Sequence, residues 1–182
     1  MSNSWGLEPD DMAHLFGAPF TQDQIDSAVT TLVNAAKWHI VPEQEDTVTL
    51  DVQCWESLLR LPTRHLVSVD EIRDADTATV IDADRYRVSL DLGQVRHRTS
   101  YWPSGYGRVE VDFTHGWDTV PADLLPLLAE AALLSRRDQT AKQLGAGPMS
   151  AAFDISLGGS DTNPLSTRAV FDRYRLWQPG IA

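Results

Sequence analysis

The period of the hydrophobic pattern changes twice along these 182 residues, and that double change constrains the fold more than any motif. Ile25, Ala28, Val29, Leu32, Val33 and Ala36 recur at three- and four-residue intervals, which places them on one face of a helix. From about residue 46 to 114 the spacing drops to two. Val48, Leu50 and Val52 alternate with Thr47, Thr49 and Asp51; Tyr86, Val88, Leu90 and Leu92 alternate again, and so do Val109, Val111 and Phe113. After Gly116 the helical spacing returns through Leu124, Leu127, Leu128, Ala131, Ala132 and Leu134. Side chains alternate faces in a strand and wind around the axis in a helix, so one pattern cannot serve for the other. The expected fold class is therefore α+β: a small helical bundle core with an inserted antiparallel β region and an extended C-terminal arm ending in a short helix.

Local signals set the expected boundaries. Thr21 is a good N-cap, Gln24 completes a capping box, and Asp23 and Asp26 suit the positive end of a helix running to about Ile40, before Pro42. Leu58–Pro62 and Leu66–Val69 read as short strands, and 74–84 as an acidic turn region. Pro121 and Asp123 suit the first turn of a long helix over about 121–144, with Arg136, Arg137 and Lys142 towards its end and Gly145 just past it. Residues 1–19, punctuated by Gly and Pro, are expected to be loose, with Trp5, Leu15 and Phe16 available for docking. The body thus spans 1–144. Residues 145–182 form a Gly/Ser/Asn-rich linker that also holds Phe153, Ile155 and Leu157, followed by a short helix capped by Ser166 or Thr167 with Val170, Phe171, Tyr174 and Trp177 on one face.

Charge narrows the function classes. The net charge is −11, and residues 1–51 carry nine acids against Lys37 alone, whereas 162–182 are net +2. So acidic a body repels phosphate backbones, which are held by clustered Lys and Arg. The basic tail suits an acidic partner surface. No apolar run approaches the roughly 20 residues that span a bilayer, and Met1–Gly6 has neither the basic start nor the apolar stretch of a signal peptide. A soluble protein made in the cytoplasm, with no membrane partner, is expected. Cys54 is the only cysteine, which excludes an intrachain disulfide and any zinc site built on paired thiolates; it reads as a small buried hydrophobe.

No constellation carries chemistry. His14, His39, His65, His97 and His115 are scattered, none paired at i+4, so structural imidazoles are expected and no metal or other cofactor is. Asp74, Asp76, Asp82 and Asp84 lack the glycine and glutamate of a calcium loop and read as a solvated turn. Gly158–Thr162 lacks the last glycine of a nucleophile elbow. Gly105–Val111 half-matches an RNA-binding strand, but Ser104 and Arg108 stand where a basic and an aromatic residue belong, and a hairpin tip packing on a neighbouring subunit fits better. There are six tryptophans, and Trp102, Trp117 and Trp177 fall near element ends. Exposed aromatics and arginines are the usual interface anchors. The closing segment follows a linker long enough to dock elsewhere; folding back over its own core is the equal alternative.

Several stretches together resemble the head-to-tail connector (adaptor) proteins of tailed bacteriophages, siphophage type. They are Leu61-Pro62, Leu66–Ile72, Asp84–Val88, Val109–Trp117, Val120–Leu124 with the helix that follows, and Leu165–Arg168 running into Phe171–Arg175. The order and spacing of these stretches carry the likeness, which spans most of residues 20–177; the β region departs from the compact all-helical members. The resemblance implies a structural virion protein without enzymatic activity, a dodecameric ring beneath the portal at the neck. It implies that genome DNA passes through its channel without specific binding, that a stopper or tail-completion protein binds below, and that the C-terminal segment grips the portal. Phe171, Arg173, Tyr174, Arg175 and Trp177 are the residues expected to touch the portal, and Tyr101, Trp102 and Tyr106 those expected at a subunit interface or hairpin tip. A tail-completion or other virion interaction protein, and after it a small metal-dependent enzyme with a site assembled in three dimensions, are the alternatives.

Overall fold

A computed structural model describes residues 5–141 and 167–176. It is α+β, and the chain divides into two compact units. One is helical and draws on residues up to His39 and from Thr119; the other, Ile40–Asp118, is the β region inserted between them.

In the helical unit, α1 (Gln22–Ala36) begins where the capping box places it. The Thr21 side chain accepts from the Gln24 N–H, and the Thr21 N–H donates back to Gln24 Oε1 at 3.1 Å. The helix stops four residues before Ile40, because Lys37 adopts a left-handed conformation (φ 68°) and its N–H closes on the Val33 carbonyl. Ile25, Ala28, Val29, Leu32 and Ala36 are buried, the face the spacing predicts. That face packs on α2 (Leu125–Ala141), which buries Leu127, Leu128 and Ala132. Its first-turn proline is Pro126; Pro121 precedes a turn that ends at Leu124. The expected end near 144 and Gly145 lie outside the described residues. The N-terminal segment is packed down: Trp5 and Met12 are buried, and the Trp5 indole donates to the His39 carbonyl at 3.1 Å. The short helix α3 (Thr167–Tyr174) belongs to this unit as well.

The β unit holds two antiparallel sheets. One has the order β1-β7-β3-β4, formed by β1 (Gln44–Val52), β7 (Gly105–His115), β3 (Leu66–Asp74) and β4 (Thr79–Val80). The other has the order β2-β6-β5, formed by β2 (Leu58–Arg60), β6 (Gln94–His97) and β5 (Tyr86–Ser89). Central strand β7 alternates cleanly, burying Val109, Val111, Phe113 and His115. Val109, Val111 and Phe113 meet Leu59, Tyr86 and Val95 from the second sheet, and Trp102 from the loop before β7, in one core. Leu90 and Leu92, expected to continue β5, sit instead in the turn between β5 and β6 and are about half exposed. The turn depends on Gly93, whose φ is +58° and whose added β-carbon would stand 2.5 Å from the Thr63 carbonyl oxygen.

Candidate functional site

Among the described residues, the histidines of the β unit are dispersed and each lies against a neighbouring side chain. His65 stacks on Trp117 at 4.3 Å, His97 stands edge-on to Trp102, and His115 is buried beside Phe113 with Asp46 at 3.7 Å. Among the described residues, no group of three or more His, Cys, Asp or Glu could hold a metal ion, and no helix is long and apolar enough to cross a membrane. The Asp74 carboxylate, weighed above as a calcium ligand, accepts from the Asp76 and Thr77 N–H groups and pairs with Arg108 at 2.9 Å. Burial works to raise its pKa; the two N–H donors and the guanidinium outweigh that and hold it below the usual carboxylate range. Arg108, the residue that spoils the RNA-strand match, is thereby tied to Asp74 and Asp76. On the same sheet Arg73 is clamped by Glu71, Glu110 and Asp112.

What the molecule offers is surfaces. The first is α3. Its apolar side points inwards: Phe171 and Tyr174 are each 7 % exposed. The Trp38 indole donates to the Tyr174 carbonyl, the Leu176 N–H to the Ala36 carbonyl, and the Tyr174 hydroxyl to Asp123 Oδ1 at 2.6 Å. Burial, then the Asp123 carboxylate, drives the Tyr174 pKa well above that of a free phenol. The segment therefore lies back on its own helical unit, one of the two readings left open by its sequence. Asp172, Arg173 and Arg175 remain outside, with Arg173 4.0 Å from Asp123. Trp177 lies outside the described residues.

The second surface is an aromatic corner of the β unit, where the end of β1 meets the start of β7 through the Val52–Gly105 pair. Tyr106 is 95 % exposed and Tyr101 51 %, whereas Trp102 is in the core. The Trp102 indole donates to the Ser57 carbonyl at 3.0 Å and its ring lies against His97 and Tyr86. Sequence reasoning missed Trp55, which is 78 % exposed, edge-on to Tyr101 at 5.3 Å, and held at φ +69°. A bulky residue in that region is strained, and the polar Gln53–Glu56 turn was its only sequence signal. Cys54 stands here too, exposed, because the strand ends two residues before it. In the helical unit, Phe16 is 90 % exposed beside an apolar groove of Leu15, Ala129, Leu133 and Leu134.

No protein-family model matches the chain, and neither does any curated protein. Solved structures do. A chain from the neck of an empty gene transfer agent particle, computed with C6 symmetry, aligns at a TM-score of 0.59 and 17 % identity, covering 100 % of this chain and 96 % of that one. A chain from the neck of the native particle, computed with C12 symmetry, aligns at 0.55 and 18 %, covering 88 % and 84 %. A chain of the native gene transfer agent virion aligns at 0.55 and 19 %, covering 94 % and 89 %. At these identities the likeness is one of fold, and it runs through both units.

Proposed function

We propose that this chain is a structural protein of the neck of a tailed, phage-like particle, a non-enzymatic subunit that acts as part of a ring between head and tail. The observation that carries this reading is the whole-length likeness of fold to chains of gene transfer agent necks, computed with sixfold and twelvefold symmetry. A dodecamer fits the twelvefold neck. The dispersal of the described histidines and carboxylates agrees with a protein whose work is assembly.

Within that reading the ring binds the portal on one side and a stopper or tail-completion protein on the other, and genome DNA passes through the channel. The basic closing segment is the proposed portal contact, through Phe171, Arg173, Tyr174, Arg175 and Trp177. With Phe171 and Tyr174 buried, Asp172 and Arg173 of α3 and Arg175 just past it are the charged side chains the segment presents while docked on its own unit. Tyr101 and Tyr106, joined by Trp55, are the proposed subunit contact, and Trp102 supports them from inside the core. Electron microscopy of the purified protein mixed with its portal tests the reading. A coaxial ring on the portal is expected; a protein found elsewhere on the particle would refute it. Arg173→Glu with Arg175→Glu should weaken that attachment at least about tenfold, the scale of losing two charged interface contacts.

A further inference from the structure

The apolar groove of the helical unit has a volume of about 560 Å³ and lies along the first half of α2, between Leu15 and Phe16 on one side and Ala129, Glu130, Leu133 and Leu134 on the other. Both walls are fixed. In the loop that carries Phe16, the Leu15 N–H donates to the Met12 carbonyl at 3.1 Å and the Ala18 N–H to the Leu15 carbonyl at 3.2 Å. The loop lies so close to α2 that a β-carbon added at Gly17 would stand 2.7 Å from Leu133 Cδ2. Yet Leu15, Leu133 and Leu134 are only half-buried, and Phe16 is almost wholly exposed. Large apolar side chains left open on a preformed groove mark a docking place.

The chain carries a matching segment close by. Residues 142–166, outside the described residues, join the end of α2 to the start of α3. Because α3 is held on the helical unit through Phe171 and Tyr174, both ends of this tether are fixed to the unit that carries the groove. In its middle Phe153, Ile155 and Leu157 alternate with Asp154 and Ser156, with Gly145 and Gly147 before them and Gly158 and Gly159 after. We infer that Phe153, Ile155 and Leu157 occupy the groove of their own chain. An apolar cavity of roughly 150 Å³ takes one benzene ring, so the groove has room for about three side chains of that size. Leu134 lies about 10 Å back along α2 from Ala141, and Phe153 can reach up to about 40 Å beyond it. Alternate side chains of an extended stretch share one face, so the three enter together while Asp154 and Ser156 stay in water. A tether held at both ends keeps the segment at an effective concentration on the order of millimolar, which favours it over the same segment of a second copy. The linker is thereby fastened to the body midway. Residues 158–166 remain as a leash of at most roughly 30 Å, which limits how far α3 travels from the body.

Disulfide trapping in the full chain tests this. With the exposed Cys54 removed as Cys54→Ser, Glu130→Cys is combined with Ser156→Cys and oxidised by oxidised glutathione. The bridge should form within one chain. It should form at least about tenfold more slowly when Phe153→Ser, Ile155→Ser and Leu157→Ser are added, although tether length and both cysteines are unchanged. As a second readout, the Leu133 and Leu134 methyl signals in nuclear magnetic resonance should shift between the natural chain and the triple-serine variant. Circular dichroism confirms that the variants are folded. The inference fails if the bridge closes equally fast in both chains, or if it links two chains, which would give the groove to a second copy. It also fails if the leucine methyl signals stay in place, the result expected of a groove kept open for another virion protein. None of these results bears on the neck reading, which the portal images decide separately.

Discussion

At Gly93 a methyl group would run into the Thr63 carbonyl, and the positive φ adds strain for any other residue. Gly93→Ala should therefore cost about 2 kcal/mol, from the strain of a left-handed non-glycine residue plus displacement of the Thr63 loop, seen as a lower urea midpoint. Tyr174 offers a second single-atom test. Tyr174→Phe keeps the buried ring and removes only the bond to Asp123, with an expected loss of about 1–2 kcal/mol. Because the folded protein holds the phenol proton more tightly than the unfolded chain, that contribution is complete below the free phenol's value near 10 and fades as pH rises through the higher folded value. Thermal melts from pH 9 upwards should show a steeper decline for the natural chain than for the variant. Burial of the Tyr174 ring could be guessed from its helical spacing with Val170 and Phe171. Its partner could not, since Asp123 is 51 residues away in sequence.

Each element is as legible as its end signals. The capping box fixed the start of α1 to the residue, and Thr21→Ala should remove about 1 kcal/mol, measurable by chemical denaturation. The end of α1 was misplaced because a left-handed lysine stops it, and lysine carries no such signal in sequence. β6 was missed because Gln94–His97 is short and mostly polar, with Val95 its one core side chain. Leu90 and Leu92 mimicked a strand while serving as a turn. Cys54 looked like a core residue by type but falls in the turn after β1. The β3–β4 turn adds a pH test. The depressed Asp74 pKa means its charge stabilises the fold above the ordinary carboxylate range, and this is lost as pH falls through the lower folded value. Asp74→Asn should therefore be the less stable protein at pH 7, and the gap in melting temperature should close on acidification towards pH 2.

For the whole molecule, the double change of hydrophobic period did foretell two kinds of structure and their order along the chain. The sheet pairing was not legible: β7 lies between β1 and β3, so the last strand in sequence is central in space, and only long-range contacts specify that. The aromatic corner was half legible for the same reason, Tyr101 and Tyr106 by type and Trp55 only through the turn that strains it. Phe113→Ala, towards the C-terminal end of β7, should cost about 3–5 kcal/mol and disrupt the β unit first, visible as loss of near-ultraviolet signal from Trp102. The β unit opens and closes at one place, for the Trp117 N–H donates to the Ile40 carbonyl at 2.9 Å. During synthesis, then, the ribosome delivers the inserted unit as one uninterrupted stretch that can mature at once. Helix α1, made earlier, must wait unpaired until α2 emerges, so the first helix translated is among the last to find its place.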